Sequence, residues 1–460
     1  MITRIPLAGA TAPQHAPVPA PAGAPAGAPL RVALSTLGCK VNYAEMADLA
    51  GALAGLGCEV VPEDEPADVR VLNSCGVTLQ ADATTRQRLQ RLRRQDPSCH
   101  LILTGCSVDA NPERYLATGE GGRPVVPHLD AVFANAEKGR IADHVAALAA
   151  RVGATPRSVA PAGLRSRAFL KVQDGCDHRC TYCVVWRTRG ASTSVPAEVV
   201  VARARAAAEA GHAELVLTGV DLGSYGRDRG SDLAGLVRSL LDSLDAGVRL
   251  RLSSVNANDI SERLIALNRD PRLCAHWHIP LQSGSDRVLR AMHRGYRRQR
   301  YLRVVEGLRN RDPDTELTTD VMVGFPGETE ADHQATLSLV AEVGFLGCHV
   351  FRYSRRPGTA AVELVEGVDT VTARRRSAEI RAAAAATARD RRRRAVNARH
   401  GVVWDRLSGQ EAHGLSAGYH EVVAVPDRAT RVGGLQTVLV TGVEGDHLRG
   451  EIVPAAADAV

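Results

Sequence analysis

Two successive runs of strand–helix alternation constrain this chain more than any other feature. In the first, RVALST precedes a helix-like run at 43–56, VRVLNS precedes ADATTRQRLQRLRRQ, and HLILTG leads into a third unit. Strands separated by helices imply a mostly parallel sheet covered by helices. This run occupies residues 30–150, and a Pro/Gly-containing stretch over 151–166 reads as a linker. The second run occupies 167–395. It starts at AFLKVQ (168–173) and continues through ELVLTG (214–219), VRLRLSS (248–254), HWHIPLQ (276–282), TELTTDVMVGF (315–325) and GCHVFRYS (347–354). Six strands with helical runs between them predict a partial (β/α) barrel of six units, closed by an arginine- and alanine-rich helix at 372–395. Over 396–456, GVVWDRL, HEVVAV, QTVLVTGV and HLRGEIV lie between glycines and predict a small β-barrel. The expected fold class is α/β: an open parallel-sheet domain, a partial barrel and a small C-terminal β-barrel.

Residues 1–29 are mostly Ala, Pro and Gly, which predicts a disordered leader. They lack the unbroken apolar core of a signal peptide, and no later segment approaches about 18 uninterrupted apolar residues. The expectation is a cytoplasmic protein with no membrane contact. In a reducing compartment, the 10 cysteines are better explained by metal or redox chemistry than by disulfides. Net charge is +6, and arginines cluster at 86–94, 290–303 and 374–399. Such patches suit a polyanion such as RNA, or are simply solvated helix faces.

Cys39, Cys75 and Cys106 each follow the carboxyl end of a predicted strand. In an open parallel sheet those ends share one edge, so the three can converge on a shared metal site. Cys58, Cys99, Cys274 and Cys348 read as buried structural residues within strands or helices. The second trio, Cys176, Cys180 and Cys183, forms C-x-x-x-C-x-x-C after the first barrel strand. Zinc needs a fourth ligand, for which His178 inside the loop is the candidate. A 4Fe–4S cubane on three thiolates instead leaves one iron open to a small chelating molecule.

The C-x-x-x-C-x-x-C loop at this place resembles the radical S-adenosylmethionine (SAM) superfamily. With the upstream trio, the resemblance narrows to the methylthiotransferases. Matching stretches include LGCKVN (37–42), NSCGVT (73–78), TGC (104–106), FLKVQDGC (169–176), LTGVDLGSYG (217–226), HIPLQSGSD (278–286) and TTDVMVGFPGETE (318–330). LGCKVN is most similar to the branch acting on N6-threonylcarbamoyladenosine in tRNA. The resemblance implies two 4Fe–4S clusters, one on each trio, with Cys176, Cys180 and Cys183 catalytic. It also implies that electron transfer to bound SAM releases a 5′-deoxyadenosyl radical, which takes the hydrogen from C2 of the modified adenine. The cluster on Cys39, Cys75 and Cys106 would hold sulfide or methylsulfide, and a second SAM would donate the methyl group. Thr218 and Gly219 occupy the place where the superfamily's backbone receives the methionine amino group. Ser253, Gln282 and Ser283, at later strand ends, are expected to contact SAM or substrate. A TRAM-type barrel binding the tRNA anticodon arm, a flavodoxin- or ferredoxin-like electron donor and a monomeric state complete the implied picture.

Several stretches depart from the family's pattern. Trp186 stands where proline is usual, Thr193 where arginine is common, and Arg352 where proline is typical. SSVNANDI (253–260) and GLSAGYHEV (414–422) are atypical of the tRNA branch. These departures leave a second acceptor class open: a ribosomal protein, a peptide or a secondary metabolite. GFPGE (324–328) lacks the phosphate-loop pattern and reads as a turn shaping the barrel mouth. His276, His278 and His293 carry no assigned role.

Overall fold

The computed structural model describes residues 27–117, 126, 129–155, 166–364 and 367–454. Most of the expected leader, and most of the expected linker, lie outside the described residues. The chain divides into two compact units, Met1–Ala162 and Gly163–Val460.

The first unit is a parallel sheet of five strands: β1 (Arg31–Thr36), β2 (Glu59–Val61), β3 (Val69–Ser74), β4 (His100–Gly105) and β5 (Ala131–Phe133). Their spatial order is β2-β1-β3-β4-β5. β3 and β4 are buried along their whole length, which explains why they read as continuous apolar runs rather than alternating ones. Val32, Val71 and Ile102 pack with Leu49, Leu53 and Val145 from helices 40–55 and 140–151. Leu72, Leu101 and Leu103 pack with Leu89 and Leu92 of helix 79–95. That last helix starts where the Thr78 hydroxyl accepts from Ala81 N at 3.1 Å.

The second unit carries β6 (Ala168–Asp174), β7 (Thr193–Ser194), β8 (Glu214–Gly219), β9 (Arg249–Leu252), β10 (His276–His278), β11 (Glu316–Val323) and β12 (Gly347–Arg352). β6, β8 and β9 run parallel, as do β10, β11 and β12. Bridges Leu250↔Leu273 and Ser254↔His278 join the two sheets into one curved wall. The six expected strands are present, β6 and β8 at nearly the expected length and β9 to β12 shorter than their runs suggested. The additional β7 pairs antiparallel with β6, Thr193 lying opposite Asp174. Among the described residues no ladder links β12 back to β6, so the barrel is partial.

β13 (Arg399–Ser408), β14 (Glu411–Ser416), β15 (Glu421–Ala424), β16 (Leu435–Glu444) and β17 (His447–Val453) close a five-stranded barrel. The sequence runs missed β14, because EAHGLS has neither apolar continuity nor clean alternation. This barrel belongs to the same compact unit as the β6–β12 wall. It docks on the amino-terminal ends of the wall strands through buried ions. Glu214, fully buried, binds Arg249 Nε at 2.7 Å and Arg251 Nε at 2.7 Å. Those guanidinium groups then donate to Gly401 O (2.7 Å), Leu415 O (2.8 Å), Ser416 O (2.9 Å) and Ala417 O (3.0 Å). Tyr419 stacks on His276 with centroids 4.1 Å apart, and His420 faces Glu316 at 3.3 Å. The atypical GLSAGYHEV stretch is therefore an interface segment, and His276 is structural.

Candidate active site

In the first unit the cysteine trio lies on adjacent strands at one sheet edge. Cys39 precedes helix 40–55, Cys75 follows β3 directly, and Cys106 opens helix 106–110 after β4. Three glycines let the loops touch. A Cβ on Gly38 would meet Cys75 Sγ at 2.9 Å, one on Gly76 would meet Cys106 O at 2.4 Å, and one on Gly105 would meet Ser74 O at 2.4 Å. Asn42 Nδ2 ties Leu37 O (2.7 Å) to Ser74 O (3.1 Å), and Asn135 Nδ2 donates to Cys106 Sγ at 3.7 Å. Burial pushes the Cys75 thiol up to about 11, with the charges of Cys106 and Cys39 contributing. Three thiol ligands at neighbouring strand ends suit a metal centre, which binds cysteine as the thiolate and displaces its proton.

In the second unit, the loop after β6 carries Cys176, Cys180 and Cys183. Gly175 at φ +73° turns the chain out of the strand, and Cys176 N donates to Gly190 O at 3.0 Å. Cys183 N donates to Cys180 O at 3.0 Å, and Val185 N donates to Cys183 Sγ at 3.4 Å. Burial pushes Cys176 up to about 12, with Asp221 and the thiols of Cys183 and Cys180 adding to the rise. Burial likewise lifts Cys183 to about 11. A bound cation favours the thiolate and so opposes this effect of burial.

His178, the candidate fourth ligand for zinc, sits in the loop against two carboxylates. Its Nε2 faces Asp221 Oδ2 at 3.3 Å and Asp259 Oδ2 at 3.8 Å, and these two carboxylates, Asp259 foremost, raise its affinity for a proton. Asn256 Nδ2 donates to Asp221 Oδ1 at 2.9 Å, and Arg227 donates to Asp259 Oδ1 at 2.6 Å. Asn256 and Asp259 come from the atypical SSVNANDI stretch, and no local spacing advertised them. Arg294 Nη1 donates to Cys180 Sγ at 3.4 Å, a contact joining residues far apart in sequence that the chain pattern could not reveal.

Thr218 is buried near the end of β8, and Gly219 ends that strand. A Cβ on Gly219 would meet Gln173 Oε1 at 2.8 Å, the same oxygen that accepts from Asp221 N at 2.8 Å. Ser253 is 4% exposed and its hydroxyl has no hydrogen-bond partner among the described residues. Gln282 holds φ +63°, fixed by bonds to Asp320 O and from Met322 N, each 2.8 Å. Ser283 differs from expectation: it is buried, its hydroxyl accepts from Ser285 N at 3.2 Å, and it pairs with Thr336 at 3.4 Å. That hydroxyl takes part in shaping the start of the next helix. His278 bonds Thr318 Oγ1 at 2.9 Å and faces Asp320 at 3.2 Å, while His293 contacts Arg179 O at 3.0 Å. In GFPGE, the Glu328 carboxylate accepts from Gly324 N, the closed turn expected there. Trp186 packs under the Arg179 guanidinium, 4.0 Å from its ring centroid. Cys58, Cys99 and Cys274 are buried, but they lie in connections before strands rather than inside elements.

Residues 170–340 match the model of the radical SAM superfamily, and residues 31–123 match that of the uncharacterized protein family UPF0004. Threonylcarbamoyladenosine tRNA methylthiotransferase MtaB of Thermotoga maritima is 39% identical over 348 residues, covering 73% of this chain and 78% of that protein. A tRNA-2-methylthio-N(6)-dimethylallyladenosine synthase of Cereibacter sphaeroides is 36% identical over 441 residues, covering 92% and 98%. Among solved structures, the radical SAM methyltransferase TsrM of Kitasatospora setae aligns with TM-score 0.53 at 14% identity, covering 72% of this chain and 74% of that one, a likeness of fold alone. The cysteine loop behind the first barrel strand, the trio on the preceding sheet and these relatives agree: the chain belongs to the radical SAM methylthiotransferase family.

Proposed function

We propose that this enzyme converts the C2–H bond of N6-threonylcarbamoyladenosine in tRNA into C2–SCH3. The observation that carries the reading is the presence of two separate cysteine trios, each gathered by glycine-assisted loops at strand ends. In this reading Cys176, Cys180 and Cys183 hold one 4Fe–4S cluster, and Cys39, Cys75 and Cys106 hold a second. Three thiolates per cluster leave an iron free in each. When bound, the clusters and SAM supply the radical and the sulfur that side chains cannot provide. The chain's own work is positioning. The backbone at Thr218–Gly219, the unpartnered Ser253 hydroxyl and the strained Gln282 offer polar groups to SAM around the strand ends.

The first relative named above acts on threonylcarbamoyladenosine, and LGCKVN in this chain follows that branch. The domain reading places a TRAM-type barrel over 396–456 for the anticodon arm, beyond the linker and the 167–395 core. RNA would be held there mainly through phosphates and splayed bases. A flavodoxin- or ferredoxin-like donor, a cytoplasmic location and a monomer belong to the same reading. Among the described residues no helix is long and apolar enough to cross a membrane.

A second reading keeps the chemistry and changes the acceptor. It is favoured by Trp186, which fills the place of the usual proline beside the cysteine loop and stacks on Arg179. Nucleoside mass spectrometry of tRNA from cells with and without the gene decides between them. Loss of 2-methylthio-N6-threonylcarbamoyladenosine on deletion is expected. An unchanged level overturns the tRNA assignment and leaves methylthio transfer to another acceptor.

A further inference from the structure

We propose that Arg294 sets the reduction potential of the cluster on Cys176, Cys180 and Cys183, through its hydrogen bond to the Cys180 sulfur. The inference rests on the reading that this trio holds the SAM-binding cluster. Arg294 reaches the loop from a segment between helices 286–291 and 298–311. Its Nη1 donates to Cys180 Sγ at 3.4 Å, and its Nη2 donates to Asn256 Oδ1. The guanidinium lies 5.0 Å from the Tyr296 ring centroid. Its Nε–H is buried with no partner among the described residues, so a further donor is available in the same place.

The contact is one link of a closed ring. Asn256 passes from Arg294 to Asp221 Oδ1 (2.9 Å), and Asp221 Oδ2 faces His178 Nε2 (3.3 Å). His178 lies between Cys176 and Cys180 in the chain, so the ring returns to the loop it started from. Arg227 and His178 share Asp259 on the outer side. Within the ring, Arg294 is the group that donates to a cysteine sulfur.

Reduction places one more negative charge on the cluster. A fixed cation and an N–H donor beside a ligand sulfur favour the reduced form, since net charge and hydrogen bonds to sulfur are the protein's levers on potential. An arginine keeps its charge at every working pH, and its planar fork can serve Cys180 and Asn256 together. Arg294 is thus a positioning and tuning residue, one step removed from the reacting atoms.

The test is an EPR-monitored redox titration of full-length, anaerobically reconstituted protein. Dithionite supplies the electron, and the signal followed is the one that changes on adding SAM. Arg294→Gln removes the charge, and Arg294→Lys keeps it. The expected result is a tenfold fall in the reduction equilibrium constant for R294Q, about 59 mV for one electron. R294K should stay within threefold of the parent. An R294Q constant within twofold of the parent, or an R294K shift as large as that of R294Q, overturns the proposal. If R294Q retains no iron, Asn256→Ala removes the acceptor that holds the guanidinium against Cys180 while keeping the arginine's charge. A threefold or greater fall is then expected, and an unchanged constant overturns the proposal. A parent protein whose reduced signal ignores SAM would instead remove the cluster reading on which the proposal stands.

Discussion

Gly175 and Gly190 form a matched pair for testing how the radical-site loop is built. Their φ angles are nearly equal, +73° and +75°, and Cys176 N donates to Gly190 O. Alanine at either position carries a backbone penalty for positive φ, about 1–3 kcal/mol, Gly190 with ψ −163° lying in a region that glycine almost alone adopts. Their surroundings differ. A Cβ on Gly175 would lie 1.9 Å from Ala191 O and 2.5 Å from its carbonyl carbon, whereas one on Gly190 would have nothing within 4 Å. Ordinary contact begins at 3.4 Å, so Gly175→Ala must shift the main chain by up to 1.5 Å. Metal sites tolerate ligand displacements of only about 0.2 Å. Iron analysis and EPR on reconstituted protein give the answer. G175A should lose the SAM-responsive signal and roughly half of the bound iron, while G190A keeps both and loses only the backbone term in a thermal melt. Retention of iron and signal by G175A, or equal losses in both variants, would refute the reasoning.

Glu214→Ala leaves Arg249 and Arg251 buried without their counter-charge, at a cost of about 3–5 kcal/mol. Calorimetry should show the melting temperature falling by roughly 6–15 °C for a unit of this size. The shift also has a pH sign. Burial raises the Glu214 pKa, but the charges of Arg251 and Arg249 outweigh it and hold the carboxyl below its ordinary value of 4.5. Its stabilisation is therefore complete above pH 4.5 and fades as the pH falls below that value, so the gap between parent and E214A should narrow on acidification. Ser253→Ala removes a buried hydroxyl that has no partner, so the ligand-free protein should keep its stability or gain about 1 kcal/mol. SAM affinity by calorimetry should fall roughly threefold to tenfold, and an unchanged affinity would remove Ser253 from the site.

Strand ends were readable because largely apolar runs stop at Gly, Ser or Thr in β1, β3, β4 and β8, just before Gly175 in β6 and before Pro454 in β17. β1, β3, β4, β6, β8 and β17 lie within a residue or so of where the runs break. The short β2, β5 and β7 and the polar β14 carry too few residues to create a pattern of their own. The cysteines were legible for a related reason: ligands for one centre must sit at strand ends or within a tight loop, and both are local in sequence. Asp221, Asn256, Asp259 and Arg294 were not. Each is an ordinary polar residue until the barrel brings β8, β9 and the segment before helix 298–311 around the same loop. Ser283 shows the converse case, since a hydroxyl picked out by its place along the chain finds neighbours in Ser285 and Thr336 that only folding supplies.

Thus the sequence by itself determined the strand–helix order, the six candidate metal ligands and the family chemistry they imply, because each depends on residue type at short spacing. Only the tertiary structure decided that His178 faces two carboxylates, that Cys180 receives an arginine N–H, and that the small barrel is anchored to the wall by buried arginines. Those facts depend on which distant groups share a desolvated space, where a charge must find a partner, and one-dimensional spacing carries no record of that.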